Sequence, residues 1–200
     1  MPARKPRGAY AKTPARRQEI VEAAVEVFSS SGFHKGSLRH VADRVGLSQA
    51  GLLHHFPSKE HLLQAVLTWR DDQAAAWLGD PLPEGVDLLH GMVKLAEYNA
   101  RTPELVELHV ILSAEGTSAD HPLRTYFVDR YATVFGLIRD AFRTAEARGQ
   151  VKPGVDGDVA ARTVIALMDG LQVQWLLHRD DVDMAGDLRV YIQSLLTVEL

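Results

Sequence analysis

The stretch from Ser37 to Lys59, SLRHVADRVGLSQAGLLHHFPSK, constrains this chain most. It reads as two short amphipathic helices joined by the tight turn Gly46-Leu47-Ser48, the arrangement of a helix-turn-helix. Ser37 is placed to cap the first helix, whose inward side is Leu38, Val41, Ala42 and Val45. Ser48 is placed to cap the second, Gln49 to Phe56, and Pro57-Ser58 breaks it. So short a helix must bury one side and leave the other free. Leu52 and Phe56 lie four apart with Leu53 beside them, which turns Gln49, Ala50, Gly51, His54 and His55 outward. An outward face that starts small and stays polar suits insertion into the major groove of a duplex. Gln49 can offer a bidentate amide to adenine, Ala50 can touch a thymine methyl, and Gly51 lets the backbone come close.

The remainder also reads as helix. Pro and Gly cluster between periodic segments, and no stretch sustains the alternation of a strand. Residues 1–12 are expected to form a flexible basic arm. Thr13-Pro14 starts the first helix, with Ile20, Ala23, Ala24, Val27 and Phe28 on one face and Gly32 at its end. Ser58 caps a long fourth helix reaching about Leu78, and GDPLPEG, Gly79 to Gly85, interrupts the chain. Further helices are expected near 86–100, 103–115, 121–148, 157–179 and 184–197. Thr102-Pro103, Asp120 with Pro122 nearby, and Asp156 supply three of their start signals. The expected fold class is all-α with about nine helices. A helix-turn-helix domain at 13–60 precedes a larger helical domain at 61–200.

Charge is distributed unevenly. Residues 1–70 hold eleven Lys/Arg against five Asp/Glu, whereas residues 71–200 hold eleven against twenty-one, for a net charge of −4. A basic module on an acidic body suggests that one end meets a polyanion. Cysteine is absent, which excludes a disulfide framework, a thiolate zinc site and a cysteine nucleophile, and fits a reducing cytoplasm. The opening MPARKPRGAYAKTPARRQ lacks the apolar segment of an export signal. The most apolar run, Thr163 to Leu177, is short and carries Asp169, Gln172 and Gln174, so no membrane span is expected.

Enzymatic signatures are missing: there is no Gly-rich phosphate loop, GxSxG elbow or HExxH. No catalytic residue and no cofactor is expected. Asp169 reads as a buried structural or interface hydrogen-bonder. His54 and His61 share a helical face, but a third ligand is not evident and no metal site is expected. If His54 or His55 lies near phosphate, DNA affinity should rise as pH falls from about 8 to about 6. Helix starts at Ser37, Ser48 and Ser58 would present free N–H groups to phosphates. Arg16, Arg17, Arg39 and Lys59 could add charged contacts that position the domain without reading sequence.

The order of these elements resembles the TetR family of bacterial repressors. The likeness covers roughly residues 13–65. It rests on the Ile/Ala-rich first helix, the motif from Ser37, and the continuation HFPSKEHLL, His55 to Leu63. IALMDGLQVQWLLHRDDVDM looks like the family's eighth and ninth helices. The resemblance implies an all-α homodimer, with two DNA-binding heads spaced for successive major grooves and a ligand cavity in each C-terminal domain. Carried over by position, Gln49, Ala50, Gly51, His54 and His55 face the groove, and Lys59 contacts phosphate. Two positions depart from the family pattern. Leu53 stands where tyrosine is usual, removing a hydroxyl–phosphate contact, and His40 stands where an acidic residue is common.

The C-terminal helices carry their own pattern. Val159, Thr163, Val164, Leu167, Met168, Leu171 and Trp175 make the eighth helix apolar around much of its circumference, and Met184, Leu188, Tyr191, Ile192 and Leu195 stripe the ninth. A four-helix dimer interface is expected, using Val164, Leu167, Met168, Leu171, Leu188, Tyr191, Ile192 and Leu195. Trp69, Trp77, Tyr98, His109, Phe127, Tyr131 and Trp175 are expected around an apolar cavity with few fixed charges, suited to a small hydrophobic effector. The expected function is ligand-responsive regulation, by default repression: a homodimer grips a palindromic site in double-stranded DNA and the effector releases it. The alternative is a small-molecule carrier or interaction module of the same fold that does not bind DNA.

Overall fold

The structure, a computed structural model, describes residues 12–35 and 37–200. The basic arm therefore lies outside the described residues except for Lys12, which is helical. The described residues form nine α-helices: α1 (Lys12–Lys35), α2 (Leu38–Arg44), α3 (Gln49–His55), α4 (Lys59–Leu78), α5 (Val86–Asn99), α6 (Pro103–Glu115), α7 (Arg124–Ala147), α8 (Gly157–Leu177) and α9 (Met184–Leu195). The only β-type pairing among them is an isolated bridge between Val151 and Leu196. None of these helices is long and apolar enough to cross a membrane. Two compact units divide the chain after Trp69, within α4.

The first unit packs α1, α2, α3 and the start of α4 around Ile20, Ala24, Phe28, Val41, Leu52, Phe56, Leu62 and Leu63, all nearly inaccessible to solvent. The stripe expected on α1 is the buried one. Its ends differ from expectation: Thr13 and Gly32 both lie inside the helix. A glycine costs about 1 kcal/mol within a helix and does not by itself stop one. The turn after α2 is decided locally. Gly46 adopts φ 67°, and its N–H donates to the Asp43 carbonyl (3.2 Å) while that of Leu47 reaches back to Ala42 (2.9 Å). This paired closure requires a left-handed residue, which glycine supplies without a Cβ penalty.

The second unit packs α5 to α9 around Leu89, Val93, Val106, Ile138, Phe142, Ala161, Val164, Leu188 and Ile192. Asp156 caps α8 as expected, its carboxylate accepting from the N–H groups of Asp158 and Val159 (2.9 and 3.1 Å). Thr102 precedes Pro103 at the first position of α6, but its hydroxyl donates to the Asn99 carbonyl (3.3 Å) and caps nothing. α7 starts at Arg124, not near Asp120. The Nδ1 of His121 accepts from the Leu123 N–H (3.2 Å) just before the helix, and no side chain caps its first turn.

One expectation is corrected here. Val164, Leu171, Leu188 and Ile192, read as dimer contacts, are core residues of their own unit, at most 5% exposed. Leu167, Met168, Tyr191 and Leu195 are partly buried against the same core. The apolar surface that α8 leaves uncovered is a different stripe: Val159, Ala166, Val173 and Leu177 are exposed, with Thr163 and Gly170 between them. Val190 on α9 is 70% exposed. Periodicity shows that a helix is apolar on two sides, but not which side its own domain takes.

Candidate nucleic-acid interface

α3 is held at both ends by bonds that fix which side it shows. The Ser48 hydroxyl accepts from the Gly51 N–H (3.1 Å), and the Phe56 N–H closes on the Leu52 carbonyl (2.9 Å). Leu52 and Phe56 are 0% and 1% exposed. Burying two such side chains contributes about 1.5–3 kcal/mol each and anchors the helix by that side. Gln49, Ala50 and His54 are left exposed, while Gly51, Leu53 and His55 are half-buried at the margins. The rings of His54 and His55 meet edge to face at 5.7 Å. At Gly51 a Cβ would stand 3.3 Å from the cap oxygen of Ser48. Its glycine therefore serves the cap as well as close approach.

The flanking groups divide into two kinds. Ser37 caps α2, accepting from the His40 N–H (3.3 Å). Arg39 is exposed, 3.9 Å from Asp43. Ser58 accepts from the His61 N–H (3.4 Å), and its hydroxyl pairs with His61 Nδ1 (2.9 Å). Lys59 Nζ lies 5.8 Å from the Phe28 ring. Arg16, half-buried, and Arg17, exposed, are the residues of α1 expected at phosphates, and each also bonds within the unit. Arg16 donates to the Val45 carbonyl (2.6 Å) and pairs with Glu19 (2.5 Å). Arg17 donates to the His55 carbonyl and stacks 4.2 Å over the Phe56 ring. Both bind α1 to the C-terminal ends of α2 and α3, where helix carbonyls lack intrahelical donors. They hold the recognition element in place.

The residues expected around an effector cavity take several positions in the structure. Trp77 and Tyr98 stack on each other at 6.3 Å on the surface, 45% and 36% exposed. Trp175 is buried beneath Arg179, 5.2 Å from its ring. His109 and Phe127 are buried together, ring centroids 5.8 Å apart. Trp69 belongs to the first unit. Only Tyr131 and His109 meet at a common group: the Tyr131 hydroxyl donates to Asp169 (2.8 Å), and His109 Nε2 lies 3.8 Å from the other oxygen of that carboxylate. Asp169 is thus a structural hydrogen-bonder as read, but it is 38% exposed and not buried.

Nor is the interior short of fixed charge. Asp71 on α4 accepts from the Tyr126 hydroxyl (2.6 Å) and from Arg130 Nε at both oxygens (3.1 Å). Burial alone would lower the Arg130 pKa, but Asp71 and the neighbouring tyrosines together raise it. Burial raises the Tyr126 phenol, and Asp71 raises it further. Tyr131 is pushed up to about 12, first by burial and then by its bond to Asp169. Arg70, next along α4, falls to about 10 through burial and the neighbouring Arg130. Its Nη2 donates to Asn99 Oδ1 (3.4 Å). These groups are divided among α4, α7 and α8, so no spacing along the chain joins them. Asp169 and Gln172 within the most apolar run of α8 are the hints a sequence carries.

A cavity lies elsewhere in this unit. Ala96, Asn99, Met168, Leu171, Gln172 and Met184 line it, and none of them is among the seven aromatic or amphipathic residues expected there.

Comparison with known proteins decides the family. Residues 20–66 match the profile described as bacterial regulatory proteins, tetR family. Residues 92–197 match the C-terminal domain of BetI-type transcriptional repressors. The chain belongs to the TetR family of transcriptional regulators. It is 26% identical over 186 residues to the HTH-type transcriptional regulator UidR of Escherichia coli K12, covering 90% of this chain and 93% of that one. A putative TetR-family regulator from Rhodococcus sp. superposes with a TM-score of 0.74 at 23% identity, over 90% and 98% of the two chains. A putative regulator from Saccharomonospora viridis, solved in complex with choline, gives 0.69 at 25% identity, over 92% and 100%. As a TetR-family regulator the chain is not an enzyme.

Proposed function

We propose that this TetR-family chain is a repressor that grips a palindromic DNA operator as a homodimer and lets go when a small, largely apolar effector binds its second unit. The observation that carries the reading is the outward side of α3. Gln49, Ala50 and His54 stand exposed on a helix fixed from behind by Leu52 and Phe56. Gln49 supplies an amide for adenine, and Ala50 a methyl contact for thymine. Arg39 and Lys59 serve as phosphate contacts. The charge excess of residues 1–70 supports the same polarity.

The exposed stripe of α8 supports dimerisation. Val159, Ala166 and Val173 recur every seven residues, as do Thr163, Gly170 and Leu177, the repeat of a seam between packed helices. At Gly170 a Cβ would meet nothing within 4 Å, so a partner helix has room to approach.

Release follows from α4, which contributes residues to both units. Asp71 ties it to α7 through Tyr126 and Arg130. An effector that shifts α7 moves Asp71 and with it α4. B-DNA sets half-sites about 34–36 Å apart, so a displacement of a few ångströms spoils simultaneous docking. A coupling of about 1–3 kcal/mol corresponds to roughly 5–150-fold weaker DNA binding.

Selection from a random DNA pool tests the reading, followed by fluorescence anisotropy on the selected duplex across salt concentrations. A palindromic consensus and a steep fall of log affinity with log salt are expected. Recovery of no consensus, with no binding at low salt, would point to a carrier that has lost its DNA.

A further inference from the structure

Arg70 lies on the part of α4 that belongs to the second unit, and most of its donors are unspent. Its guanidinium makes one long hydrogen bond, to Asn99 Oδ1 at 3.4 Å. Among the described residues no carboxylate lies within ion-pair reach of it. The acids of its surroundings are engaged elsewhere. Asp71 accepts from Arg130 at both oxygens and from the Tyr126 hydroxyl at one. Asp169 accepts from Tyr131 (2.8 Å) and faces His109 (3.8 Å), and at 38% exposure its free side is screened by water. Arg70 itself is half-buried. Burial and the neighbouring Arg130 press its pKa down to about 10, which leaves it a cation at neutral pH. A guanidinium drawn in from water without a counter-charge is costly, and an anion offsets that cost. Asn99 is 5% exposed and turns its oxygen to Arg70, so the N–H₂ borne on the same carbon stands next to the guanidinium. The place is also reachable, since the side chains of Arg130 and Asp71 keep 19% and 31% of their surface exposed.

We infer that Arg70 and Asn99 bind the carboxylate of a small organic acid, the guanidinium holding it through paired N–H groups and Asn99 Nδ2 adding a further donor. The planar fork of arginine matches the two oxygens of a carboxylate. A neutral amide offers one oxygen and no charge. An ammonium meets only donors and a like charge at these two residues. A dianionic phosphate brings a second negative charge towards Asp71 and Asp169, so the monoanion is favoured. Asp71 follows Arg70 in the chain and ties α4 to α7, so an acid held by Arg70 acts on the helix through which release was argued. The inference deepens the proposed function by giving the effector an acid group. Its regulatory meaning rests on that reading, and the binding itself does not.

The test is a set of NMR titrations of the full chain with three probes of equal length: hexanoate, hexanamide and hexylammonium. Hexanoate is expected to bind about tenfold more tightly than either of the others, because only it makes charge-assisted paired bonds, and to move the side-chain N–H₂ signal of Asn99. Arg70→Gln should bring hexanoate to within about twofold of hexanamide. Asn99→Asp supplies Arg70 with a carboxylate from the chain itself. It should weaken hexanoate about tenfold or more while leaving hexanamide within about threefold, and it keeps the test decisive if Arg70→Gln fails to fold. Equal binding of hexanoate and hexanamide to the native chain overturns the inference without reference to any variant. So does preference for hexylammonium, binding by none of the three, or a hexanoate preference that survives either substitution. DNA selection on the same chain is read in parallel. Loss of DNA binding with the hexanoate preference intact sinks the repressor reading alone, and the converse sinks the carboxylate site alone.

Discussion

His109 illustrates how one side chain can make a domain sensitive to acid. It is 2% exposed, and burial holds its pKa down at about 4, against the partial opposition of Asp169. An unfolded imidazole titrates near 6.5, so as pH falls the unfolded chain takes up this proton before the folded one. Stability from this residue is therefore complete above pH 6.5 and drains away as pH drops towards 4. Between pH 8 and pH 5 the loss should be about 2 kcal/mol. Urea denaturation of the native chain and of His109→Gln at both pH values measures it. The variant is expected to lose that much less, and equal losses would refute the assignment. At the other end of the molecule, Gln49→Ala should cost about 1–3 kcal/mol of operator affinity and relax preference at one base pair per half-site. Anisotropy against single-base operator variants reads both effects, and uniform weakening across all variants would place Gln49 on the backbone instead.

At the scale of the element, the informative contrast is between α3 and α4. α3 has only seven residues, too few to be stable alone. It persists because Ser48 caps it and because Leu52 and Phe56 are buried. Ser48→Ala should lower stability by about 1 kcal/mol in thermal unfolding followed by circular dichroism. No change would mean that tertiary packing alone sustains the helix. α4 is long, and what matters in it is Asp71, which holds Tyr126 and Arg130 on α7. Asp71→Asn removes the negative partner of a largely buried guanidinium and should cost about 2 kcal/mol. The same variant should alter effector-induced release without changing operator affinity in the absence of effector. Unaltered release would separate this ion pair from the signalling route.

The whole molecule is read through its exposed apolar stripe on α8. If two copies meet there, Val173→Glu with Leu177→Glu sets like charges against each other in the seam. Light scattering should then show half the native mass at micromolar concentration. Operator affinity should fall about a hundredfold or more, because linked docking of two heads is lost. A native chain that is already monomeric, or a double variant that remains dimeric, would move the interface elsewhere.

The all-α class, the helix-turn-helix and the outward side of α3 were legible in the sequence because each depends on local chemistry. Helical periodicity, serine caps and a glycine able to take φ 67° act over a few residues. The family likeness over residues 13–65 drew on the same local pattern. What lay beyond reach involved partners distant in the chain. The carbonyl partners of Arg16 and Arg17, at Val45 and His55, are one example. Val164 and Leu188 look like interface residues until α5 and α7 cover them. Asp71, Arg130 and Tyr126 carry no joint signature, being more than fifty positions apart across α4 and α7. Short-range backbone and capping energies write themselves into consecutive residues. Which side of a helix is buried, and which charges share its interior, is set only when the helices pack.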